Sequence, residues 1–106
     1  EWTVKHFNRL TPAEAERLAI LAEELGEAQQ AVGKVLRHGY ESSHPSGGPT
    51  NREALEHELG DVWALISMLR ANGDVRGTEL DTWALQKPLS MAPYLHHQGQ
   101  QHGRKG

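Results

Sequence analysis

The chain contains no cysteine. Disulfides, thiolate metal sites and a cysteine nucleophile are therefore excluded, and a reducing, cytoplasmic setting is the expectation. Long hydrophobic runs are missing too. No apolar stretch approaches the ~20 residues needed to cross a bilayer, and no secretory-signal pattern is present. A strong charge of one sign is also lacking. The formal charge is −3, too mild for a partner such as a nucleic-acid polymer. No acid occurs from Lys87 onward, where the charged residues are Lys87, Arg104 and Lys105. Strand-like alternation is absent as well.

What is present is helical. Apolar residues make up 37% and charged residues 24% of 106 residues, the balance of one globular domain with a modest core. Thr11-Pro-Ala-Glu14 reads as a capping box with proline at the first helical position. Leu18, Leu21, Leu25, Ala28, Val32, Val35 and Leu36 follow at helical spacing, and His38-Gly39 is the expected stop. Residues 39–49, rich in Gly, Ser and Pro, read as a loop. Thr50-Asn-Arg-Glu53 is a second capping box, ahead of a stripe at Leu55, Leu59, Val62, Ile66 and Leu69 that ends at Asn72-Gly73. Thr78-Glu-Leu-Asp81 predicts a short third helix, stopping near Lys87-Pro88.

The fold class is all-α, with one helical domain over 1–95 and a mobile tail over 96–106. The N-terminal ten residues fit a short strand or a turn. Two long stripes and one short helix cannot close a core alone, so the bundle is expected to be completed by oligomerisation, as a homodimer or tetramer.

Two motifs break the apolar pattern: Glu24-Leu-Gly-Glu27 and Glu58-Leu-Gly-Asp61. At about 100° per residue, Glu24 falls between Val35 and Ala31, and Glu58 between Val62 and Leu65. Asp61 lies on the edge of the apolar sector and Glu27 borders Ile20. Glu23 points toward the more polar side. Most helical acids belong to solvated faces, which accounts for Glu14, Glu16, Glu53 and Glu56. It does not account for Glu24 and Glu58, since a carboxylate in an apolar sector needs a partner. No Lys or Arg lies three or four residues from Glu58. Four carboxylates from two helices make a hard, all-oxygen site suited to Mg²⁺ or Mn²⁺. Gly26 and Gly60 sit inside these motifs, where glycine costs roughly 1 kcal/mol relative to alanine. Close approach of a ligand or of a neighbouring helix would explain them. A di-iron bundle would need Glu-x-x-His on a helix, and the one match, Glu41 to His44, lies in the loop.

With Glu23-Glu-Leu-Gly-Glu27 followed by Glu58-Leu-Gly-Asp61, the chain resembles the MazG-like, all-α nucleoside triphosphate pyrophosphatases, most closely over 18–69. The stretch Leu85 to His97 resembles the C-terminal segment of small phage-type members. The Gly/Ser/Pro loop makes the spacing between motifs slightly long for the family. The resemblance implies hydrolysis of a (deoxy)nucleoside triphosphate to monophosphate and pyrophosphate. It implies Glu24, Glu27, Glu58 and Asp61 as Mg²⁺ ligands, and Glu23 as a residue that assists the metal or orients the attacking water. Lys34, Arg37 and Lys87 are the candidates to meet phosphates, with Arg37 fitting a solvated helix end equally well. Trp63 or Trp83 could stack on a base, although such residues are more often core. His96, His97 and His102 read as part of a solvated tail rather than a metal tract. A phosphoribosyl-ATP pyrophosphatase-like enzyme and a catalytically silent helical binding module are the alternatives.

Overall fold

The computed structural model describes residues 7–100, leaving out of the description the first six residues of the ambiguous N-terminal segment and the last six of the tail, His102 among them. The chain is all-α. Helix α1 spans Pro12–His38, α2 spans Asn51–Ala71 and α3 spans Gly77–Met91. Short 3₁₀ turns follow at Ala92–Tyr94 and Gln98–Gln100. Among the described residues the only extended pairing is an isolated bridge between Ser43 and Thr50. No described helix is long and apolar enough to cross a membrane. The chain divides into two compact units between Asp74 and Val75.

In the first unit α1 and α2 form an antiparallel hairpin. Both capping boxes are made. Thr11 Oγ1 accepts from the Glu14 amide at 3.1 Å while Glu14 Oε1 accepts from the Thr11 amide at 2.8 Å. Thr50 and Glu53 repeat the same reciprocal pair at 3.1 and 2.8 Å. Two orphan amides at each helix start are thereby satisfied. Gly39 ends α1 at φ 87°, a conformation that favours glycine. The Asn51 side chain then donates to the Gly39 carbonyl at 3.0 Å and ties the start of α2 to the end of α1. At the opposite end Arg17 grips Asp74 with two bonds, Nε to Oδ2 at 2.6 Å and NH2 to Oδ1 at 2.9 Å. These side chains are only 15% and 9% exposed, and the guanidinium holds the Asp74 carboxyl below its usual range.

The core of the hairpin is small. Ala28 and Ala31 from α1 meet Val62, Leu65 and Leu69 from α2, and these are the buried apolar residues. Much of the expected stripe is instead exposed, with Leu25 at 49%, Leu36 at 82%, Leu59 at 50% and Trp63 at 74%. Trp63 is therefore not a core residue of this chain. Gly26 and Gly60 are not explained by a neighbouring helix. A Cβ built on either meets nothing within 4 Å, so close packing of α1 on α2 does not require glycine there.

The second unit holds α3, none of whose residues is buried. Its bounds correct the sequence reading. The helix starts at Gly77 after Arg76, which makes no side-chain cap bond, and Thr78 lies inside it. It also continues through Pro88 to Met91. Proline removes one amide donor and disfavours the turn before it, yet the chain resumes a final turn in which Ser90 Oγ donates to the Lys87 carbonyl at 3.0 Å. Trp83 is 67% exposed and so is not core either.

Candidate metal centre

The antiparallel register places the two acidic motifs opposite each other. Glu24 meets Asp61 side chain to side chain, and Glu27 meets Glu58. Residue numbers rise along α1 as they fall along α2, so a motif with acids three apart on one helix finds its twin in matching register on the other. Ala28, Ala31, Val62 and Leu65, near these acids in sequence, are buried.

On α1 the ligand atoms of Glu23, Glu24 and Glu27 lie within 4.8 Å of one another. On α2 those of His57, Glu58 and Asp61 do the same. Glu24 Oε1 and Glu58 Oε1 are shut off from solvent and have no hydrogen-bond partner. Such orphaned oxygens are costly in a protein interior. The electrostatics agree. The Glu24 carboxyl is pushed above its ordinary value first by burial, then by repulsion from Glu27 and Asp61. Glu27 is raised likewise, first by burial and then by Glu58. A donor set of crowded carboxylates with two unpartnered oxygens fits a hard divalent cation, which would supply the missing positive charge. Glu24, Glu27, Glu58 and Asp61 would be the residues to hold it, with Glu23 beside Glu24 and Glu27 on α1.

Sequence reasoning missed His57. Its Nδ1 lies 3.7 Å from Glu58 Oε2 and its Nε2 lies 3.7 Å from Asp61 Oδ2. The available signal was its position four residues before Asp61, on the same helical face.

The expected cations are not equally placed. Lys34 is seven residues beyond Glu27 on the uninterrupted α1, so it points within about 20° of Glu27 and lies ~10 Å further along the axis. Arg37 is turned roughly 80° from that direction. Lys87 belongs to α3 in the second unit.

Raised carboxyl groups make stability depend on pH with a defined sign. The folded state holds protons on Glu24 and Glu27 more tightly than the unfolded chain, whose ordinary value is 4.5. Their contribution is therefore favourable at low pH and is lost as pH rises through the raised values. Asp74 works in the opposite sense, stabilising above its ordinary 3.8 and losing that effect as acid protonates it. In chelator, the melting temperature should fall as pH rises above the ordinary 4.5 and through the raised values, and millimolar Mg²⁺ should flatten that fall. Melting curves with and without Mg²⁺ check this. A chelated protein whose stability is flat or rises across the window would show that the acids are not crowded.

No protein-family model, curated protein or solved structure matches the chain.

Proposed function

We propose that the chain is a divalent-cation-dependent nucleoside triphosphate pyrophosphohydrolase of the MazG-like type. It would convert a (deoxy)nucleoside triphosphate and water to the monophosphate and pyrophosphate. The observation that carries this reading is the pair of buried, unpartnered oxygens, Glu24 Oε1 and Glu58 Oε1, in a crowded carboxylate cluster.

Without a cation the cluster would repel a triphosphate. Bound Mg²⁺ or Mn²⁺ would reverse the local field, polarise the phosphoryl group and lower the pKa of a coordinated water. The protein's own part is positioning. Glu24, Glu27, Glu58 and Asp61 hold the cation, and their crowding disfavours any arrangement that leaves it out. Glu23, the exposed member of the α1 group, would orient the attacking water and receive its proton. Lys34 shares the face of Glu27 and would draw the distal phosphates along the helix. Arg37 and Lys87 stay candidates to meet phosphates, with Arg37 fitting a solvated helix end equally well. No covalent enzyme intermediate is needed, because in-line attack by water asks mainly for alignment and charge stabilisation.

The same reading includes self-association. Leu18, Leu25, Val32 and Leu36 on α1 and Leu59 and Trp63 on α2 are left exposed, and a second copy of the hairpin would cover them in a homodimer or tetramer.

Chromatography of a reaction with dNTP and Mg²⁺ tests the chemistry. Monophosphate and pyrophosphate should appear together from the first time point. A diphosphate with orthophosphate would place attack at the γ-phosphorus and end the pyrophosphohydrolase reading. Turnover of phosphoribosyl-ATP alone, or nucleotide binding without turnover, would replace it with one of the two alternatives.

A further inference from the structure

His57 stands at the rim of the carboxylate cluster, outside both acidic motifs. Its two ring nitrogens each face a different acid at 3.7 Å, Nδ1 toward Glu58 and Nε2 toward Asp61. Around an ion with bonds of about 2.1 Å, adjacent ligands lie ~3.0 Å apart and opposite ligands ~4.2 Å. A separation of 3.7 Å falls between these limits. One ion can thus take Nε2 of His57 together with Asp61 after small side-chain turns. The ring is 73% exposed, so it is free to make them. Across the hairpin α1 offers only carboxylates, Glu23, Glu24 and Glu27. His57 is the one nitrogen donor in the two groups.

We propose that His57 is a ligand of this cation centre and sets its metal preference, giving a mixed nitrogen–oxygen donor set that favours Co²⁺ and Mn²⁺ over Mg²⁺. The inference rests on the metal-centre reading above and deepens it. Mg²⁺ takes oxygen ligands and gives up its waters reluctantly, so an imidazole adds little to its binding. First-row transition ions accept imidazole well, and more so along the series from Mn²⁺ to Co²⁺. The nitrogen therefore separates ions that four carboxylates would distinguish weakly.

Calorimetric titration of the full chain with MgCl₂, MnCl₂ and CoCl₂, without nucleotide, tests this. His57→Gln should lower Co²⁺ affinity by at least about tenfold and Mg²⁺ affinity by less than about threefold, with Mn²⁺ between. The visible absorption of bound Co²⁺ should change with the loss of nitrogen. An exposed position should leave the helical circular dichroism intact, and His57→Ala provides a second variant should His57→Gln not fold. Equal losses for Mg²⁺ and Co²⁺ would mean that His57 shapes the cluster without lending its nitrogen and would overturn the inference, as would no loss at all. A parent protein that binds none of the three ions would remove the centre itself, a result distinct from binding that ignores His57.

Discussion

Glu58→Gln should hydrolyse nucleotide on the order of 10³-fold more slowly than the parent chain at saturating Mg²⁺, while its helical circular dichroism stays unchanged. The amide keeps the size and shape of the side chain but removes the negative charge that faces Glu27. It also puts an NH₂ donor or a weaker oxygen where the buried Oε1 now waits without a partner. A cation held there would then lose one charged ligand. The same change should help the metal-free protein, because it relieves repulsion on Glu27. The variant should therefore melt higher than the parent in chelator and gain less from Mg²⁺. Glu56→Gln, on the exposed side of α2, should alter neither property. Turnover near the parent rate in Glu58→Gln would show that Glu58 does not hold the ion.

Trp63→Glu should break self-association, raising the dissociation constant at least about 100-fold, with light scattering or sedimentation as the measurement. The argument is geometric. On α1, Glu27 lies about 60° to one side of Glu24 and Leu25 about 100° to the other. On α2, Asp61 lies about 60° to one side of Glu58, with Leu59 and Trp63 on the other. In an antiparallel pair these rotations add, so the acids share one face of the hairpin and the apolar residues share the opposite one. Leu18, Leu25 and Val32 repeat every seven residues along that apolar face. Burial of each large side chain there is worth about 1.5–3 kcal/mol, counted twice in a symmetric pair. A glutamate in place of the 74%-exposed indole puts a charge at the centre of the contact. A parent chain that is a stable monomer at micromolar concentration would reject the interface outright.

The α1–α2 hairpin was legible because its signals are local. Thr11 with Glu14, and Thr50 with Glu53, act three residues apart, and the structure makes every bond their spacing predicts. The inward direction of Glu24 and Glu58 was equally readable, since helical angle alone sets it. What escaped depends on partners distant in the chain. Nothing near Arg17 announces that Asp74, 57 residues later, receives it. Trp63 satisfied the pattern of a core residue but sits on the wrong flank of the stripe for α1 to reach. The α3 boundary failed for a different reason. Proline penalises a helix without forbidding it, and Ser90 provides a local bond that the stop signal at Pro88 did not anticipate. His57 was overlooked because the acids alone had already completed a recognisable pattern.

The two fastenings of the hairpin have one more consequence. Asn51 on Gly39 and Arg17 on Asp74 pin it at its two ends, with the acids between them. Burial and mutual repulsion of the carboxylates cannot splay a span held at both ends, so they surface as carboxyl groups raised above their ordinary values. A cation taken up there would compete with protons for those carboxyl groups, and its departure would let them return. The hairpin would exchange ions for hydrogen ions at nearly constant shape. Loss of the ion would therefore leave a folded protein, poised to reload, rather than an opened one.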